Sequence, residues 1–205
     1  MNFFRQLMQK PWESVPATPG NLVRGREFSL PTVTVGLRLF LGVVTVLFAL
    51  LVVSYFGRMT FADWRSLPEP WLLWLNTGTL IASSLAFQVA LVAARRGHLV
   101  RVRDGLTTGG IFALAFLIGQ FLAWQQLVAL GYFAQENPAN AFFYVLTGLH
   151  ALHLLGGLVA WGRTVAKLRR GVALAQLRLS VELCTAYWHY LLLIWLVLFA
   201  LLIFT

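Results

Sequence analysis

The chain has 205 residues, of which 59% are hydrophobic and only 11% charged, and its mean hydropathy is +0.76. That balance excludes an ordinary soluble domain and marks an integral membrane protein. The formal charge of +9 does not point to nucleic acid, because the basic residues stand in short blocks between long apolar runs and not among exposed aromatics on a soluble domain.

Residues 1–31 contain Pro11, Pro16 and Pro19 and predict an irregular cytoplasmic arm. MNFFRQLMQK leads into this arm without the apolar stretch and small-residue cleavage site of a signal peptide. Five runs then reach the roughly 20 residues that a helix needs to cross about 30 Å of hydrocarbon. They fall at about 32–56, 71–95, 107–132, 141–163 and 181–204. Helix-breaking signals separate them: Pro68 and Pro70 before the second, Arg95, Arg96 and Gly97 after it, Asn137 and Pro138 before the fourth. The expected fold is all-α, a single five-helix transmembrane bundle over 32–205 without internal repeat. The lone cysteine, Cys184, lies in an apolar run and offers neither a disulfide nor a paired thiolate site.

Basic residues give the orientation. Arg5, Lys10, Arg24, Arg26 and Arg38 form one cluster, Arg95, Arg96, Arg101 and Arg103 a second, and Arg163, Lys167, Arg169, Arg170 and Arg178 a third, leaving Arg58 and Arg65 for the other side. The positive-inside rule then predicts a cytoplasmic N-terminus and an outside C-terminus.

Polar side chains inside the spans must find partners, so they predict interfaces. On the second span Asn76, Thr79 and Ser83 share one face and Thr77, Ser84 and Gln88 another, which requires neighbours on both sides. On the third, Gln126 falls one heptad below Gly119, and Gln120 with Trp124 makes a separate edge. In TGLHALHLLGG of the fourth span, His150 and His153 lie on one arc with Gly157, near mid-bilayer, where hydrogen-bonded structural roles are expected. Glu182, Thr185 and His189 share a face of the last span, with Glu182 near the cytoplasmic surface. A carboxylate capping the first helical turn, or one paired with Arg95 or Arg163, would suit Glu182. Haem ligation by His189 with His150 or His153 is a rival reading, since imidazole is a good axial ligand. No hydrolytic triad, phosphate loop or catalytic carboxylate pair is present in the sequence pattern.

Several motifs in order resemble one family. TGLHALHLLGG preceded by FFYVLTG, the last-span VELCTAYWHYLLLIWLVLF, and WLNTGTLIASS and GQFLAWQQL are similar to the corresponding helices of haem-copper oxidase subunit III. The resemblance covers about residues 38–204 and implies the short form that lacks the first two of seven helices. It implies a subunit of a respiratory terminal oxidase in a bacterial cytoplasmic (inner) membrane that holds no haem or copper itself. Haem and copper would sit in the catalytic partner. Subunits I and II and phospholipids are the implied partners. His150, His153, Glu182, Trp188, His189, Asn76 and Gln126 are the implied structural, lipid or proton-uptake positions. The chain departs from the family pattern where acids are common, at Val44, Ala129 and Leu192, which weakens an acidic proton-antenna role. A subunit-III-like accessory protein of a nitric oxide reductase is the related alternative.

Overall fold

The computed structural model describes residues 32–65 and 71–204. The expected arm over 1–31 and the Pro68–Pro70 punctuation lie outside the described residues. From Val33 onward the chain forms one compact unit of five helices: α1 (Thr32–Met59), α2 (Leu72–Arg95), α3 (Leu99–Ala129), α4 (Pro138–Arg169) and α5 (Leu174–Phe204). All five are long and apolar enough to cross a membrane, and no strand occurs among the described residues. The chain is a multi-pass membrane protein.

Three helices run further than hydropathy predicts. α3 starts at Leu99 instead of 107, α4 spans Pro138–Arg169 instead of 141–163, and α5 starts at Leu174 instead of 181. Hydropathy reports where hydrocarbon ends, whereas helical hydrogen bonding continues into the interface, where Arg101, Arg103 and Lys167 are solvated. The true stops are set by capping. α2, α3 and α4 each end on a glycine in the left-handed region, Gly97, Gly131 and Gly171. At each, the next residue's N–H reaches back to a carbonyl five residues earlier: His98 to Ala93, Tyr132 to Leu127 and Val172 to Lys167. α4 begins with Asn137 as N-cap, accepting from the Ala139 N–H at 3.1 Å, and Pro138 in the first turn. The same Asn137 side chain donates to the Arg65 carbonyl and so ties the segment after α1 to the start of α4.

α2 is the hub. Its Leu73, Leu80, Phe87 and Ala90 are buried, and it packs on α3 along one face and α5 along another, as the two polar stripes require. α3 also packs on α4, and α4 on α5. α1 stands apart: none of its Cα atoms lies within 8 Å of a Cα in another helix. It reaches the others through side chains, chiefly Val44, Phe48 and Tyr55.

Candidate functional site

The α2–α3 seam is built for close approach. A Cβ on Gly105 would meet the Ala86 carbonyl oxygen and Ala90 at 2.9 Å, and one on Gly119 would collide with Asn76 Oδ1. With backbones this near, side chains bond across: Asn76 Nδ2 donates to Gln120 Oε1 at 3.3 Å and Ser83 Oγ to the Gly109 carbonyl at 2.8 Å. Asn76 is therefore an interior residue. Gln126 is not: it lies on an exposed face of α3, and Gln120 is the buried amide. The reason is length. With Asn76 level with Gly119 and Gln120, antiparallel counting puts the start of α2 at Leu72 about level with residue 124, so α2 ends before it could cover Gln126.

The α2–α5 seam carries the last-span stripe. Glu182, Thr185 and His189 all turn to α2. Arg95 lies 3.3 Å from Glu182, Thr185 Oγ1 donates to the Phe87 carbonyl at 3.2 Å, and the His189 ring bonds both Ser84 and Gln88. Because the Gln88 amide oxygen accepts from Nε2–H at 3.0 Å, the Nδ1 of His189 accepts from the Ser84 hydroxyl. Glu182 is two turns inside α5, which overturns the first-turn cap and leaves the Arg95 pair, with both side chains about half exposed. Deeper along this seam the Trp195 Nε1–H donates to Thr77 Oγ1 at 2.9 Å. Trp188 is buried, its ring stacked on Phe87 with centroids 5.0 Å apart.

The two histidines of α4 have unlike surroundings. His150 is fully buried among Phe48, Phe116 and Trp195, with ring centroids 6.5, 5.8 and 5.2 Å away. Neither of its nitrogens has a hydrogen-bond partner among the described residues, so the expectation of a hydrogen-bonded His150 is corrected: aromatic rings fill the positions where polar partners were expected. His153, one turn on, donates Nδ1–H to the Leu149 carbonyl at 2.7 Å. The space beside Gly157 is filled by Tyr187, which a Cβ there would meet at 2.9 Å. Tyr187 in turn donates to the His153 carbonyl at 2.9 Å. His189 thus faces α2 while His150 and His153 face aromatic rings of α1, α3 and α5, and the bis-histidine arrangement does not form. Among the described residues no three His, Cys, Asp or Glu side chains are placed to hold a metal ion.

Phe48 and Phe116 organise this centre although motif reading gives them no role. Their signal was available only across helices, since each matters through what it faces. A cavity of about 370 Å³ opens between α1, α4 and α5. Leu37, Phe40 and Tyr187 form its apolar wall, and Arg163 and Lys167 stand on its rim, the Lys167 ammonium donating to Ser180 at 2.8 Å.

No family model matches the chain. A protein of Mycobacterium bovis named "Probable cytochrome c oxidase subunit 3" is 30% identical over 202 residues, covering 93% of this chain and 98% of that protein. Its Nocardia farcinica counterpart of the same name is 29% identical, with 89% and 94% covered. A "Heme-copper oxidase subunit I+III" of Aeropyrum pernix is 27% identical over 128 residues, which is 62% of this chain and 16% of that longer protein.

Proposed function

The chain belongs to the cytochrome c oxidase subunit 3 family, and from that premise we propose that it is the non-catalytic subunit III of a respiratory haem-copper terminal oxidase. It packs against the catalytic subunit, holds phospholipid and sustains proton uptake and turnover. The observation that carries this reading is similarity along nearly the whole of both chains, through all five helices. The relative whose name joins subunits I and III in one chain supports direct association with subunit I. Subunit II completes the proposed complex, and the reacting haem and copper reside in the catalytic subunit.

The fold supports the rest of the role. An apolar cavity with Arg163 and Lys167 at its rim suits a phospholipid, whose chains lie against Phe40 and Tyr187 and whose phosphate meets the two cations. The bias of the basic clusters supports a cytoplasmic side for that rim in a bacterial inner membrane, with the N-terminus inside and the C-terminus outside. His150, His153 and Trp188 hold the helices in register. Glu182 and His189 order the face next to the proton entrance of the catalytic subunit, Asn76 fixes α2 to α3 nearer the other end of α2, and the exposed Gln126 contributes at the outer end of α3.

Sustained turnover is the test. The oxidase purified without this chain should start at its normal rate and inactivate after several-fold fewer turnovers, and Glu182→Gln in the complete complex should shorten the lifetime in the same direction. An unchanged lifetime without the chain would remove the supportive role.

A further inference from the structure

Along the spans, exposed side chains are mostly apolar: Val43, Val46 and Leu50 on α1, Ile111 and Ile118 on α3, Leu152 and Leu155 on α4. One place breaks the pattern. Gln88 and His189 are both exposed and bonded to each other on the outer side of the α2–α5 seam. Each stands about two turns, roughly 10 Å, deeper than the Arg95–Glu182 pair, within a hydrocarbon layer about 30 Å thick. Among the described residues, the other exposed carboxamides are Gln125, Gln126 and Gln176, within about a turn of a helix end, and Gln135, between α3 and α4.

Lipid chains offer nothing to such a pair. An exposed threonine can satisfy itself on its own helix, as Thr45 does on the Leu41 carbonyl. The Gln88 amide cannot: its oxygen is engaged by His189, and its N–H groups have no acceptor among the described residues. Polar groups at this depth face protein or enclosed water as a rule, because an unmet donor in hydrocarbon is costly. Around the pair, Leu85 and Leu193 are exposed apolar side chains and Ala186 leaves room for a close approach, the composition of a helix-packing surface.

We infer that the α2–α5 face centred on Gln88 and His189 is where this chain docks against the catalytic subunit, which presents a hydrogen-bond acceptor to the Gln88 amide within the membrane. This rests on the proposed function and adds to it which of the bundle's faces makes the contact. It also places the Arg95–Glu182 pair at the edge of the same contact.

Photo-crosslinking in the assembled oxidase decides it. A photoreactive side chain at Leu85 or Leu193 should give adducts with the catalytic subunit, and one at Ile118 or Leu152 should give lipid adducts alone. Catalytic-subunit adducts from Ile118 or Leu152, with only lipid or a second copy of this chain captured at Leu85 and Leu193, would overturn the assignment while leaving the proposed function intact. Failure of any catalytic subunit to co-purify would take down both. A second readout avoids reliance on the probe: Gln88→Leu should lower retention of the chain in the detergent-purified complex by roughly fivefold, the size of one lost hydrogen bond, and Gln88→Asn should recover part of it. Retention unchanged in Gln88→Leu would contradict the inference.

Discussion

The α2–α3 seam and helix α1 are held by opposite means. In the seam, glycines bring backbones together until side chains bond a neighbouring helix directly, as Ser83 does at the Gly109 carbonyl. α1 keeps its Cα atoms more than 8 Å from every Cα of the other helices and is fastened by long side chains. Phe48 reaches the His150 and His153 rings, Tyr55 meets Trp64 and Phe142 edge-on at 4.8 and 5.4 Å, and the Tyr190 hydroxyl donates to the Leu41 carbonyl at 3.1 Å. Association inside a membrane draws on packing and hydrogen bonds, because lipid is as apolar as leucine. The seam uses both over its whole length. α1 uses them at a few points and leaves the cavity of about 370 Å³ beside its first turns.

The contrast predicts where damage spreads. Gly105→Leu should cause the largest loss, about 3 kcal/mol or more, since the new side chain meets α2 backbone that has no room to yield. Gly42→Leu on α1, where a Cβ meets nothing within 4 Å, should leave the thermal stability of the detergent-solubilised chain unchanged. Phe48→Ala should cost about 3 kcal/mol, at the low end for a buried phenylalanine because lipid can enter the gap. Its signature should be early protease cleavage after α1 while α2 to α5 stay folded.

A hydrogen bond without a glycine contact lies between these extremes. Thr77→Val removes the acceptor of the buried Trp195 N–H and should lower stability by about 1 to 2 kcal/mol, read as a shift in melting temperature. The smallest effect belongs to the segment after α1, where the hydrogen bond from Arg58 holds the Asp63 carboxyl below the usual carboxylate range. A depressed value means that the contribution is complete above the ordinary carboxylate pKa and is lost as pH falls through the lowered one. Asp63→Asn should therefore lower stability slightly at neutral pH and leave it unchanged at pH below the lowered value, so that the acid side of the profile flattens.

Much of this was legible in the sequence. Span number follows from hydropathy, and the two polar stripes of α2 correctly demand α3 on one side and α5 on the other. The face of Glu182, Thr185 and His189 is likewise a one-helix property that 3.6-residue periodicity reveals. What was hidden depends on two helices at once. Gln126 and Gln120 have equal claims along α3, and only the start of α2 at Leu72 decides which is covered. His150 looks from its own helix like a hydrogen-bonded residue, yet Phe48, Phe116 and Trp195 arrive from three other helices to enclose it. Helix starts were misplaced for a different reason, since charged residues end hydrocarbon without ending helix.

Membership of an oxidase complex, without a cofactor held in this chain, is checked by affinity purification of the tagged chain from its native membrane in mild detergent. Subunit I should be recovered stoichiometrically with its haem absorption, and the chain should show a haem-free spectrum once separated from that partner. Recovery of the chain alone, or bound to a nitric oxide reductase, or still carrying haem after separation, would contradict it.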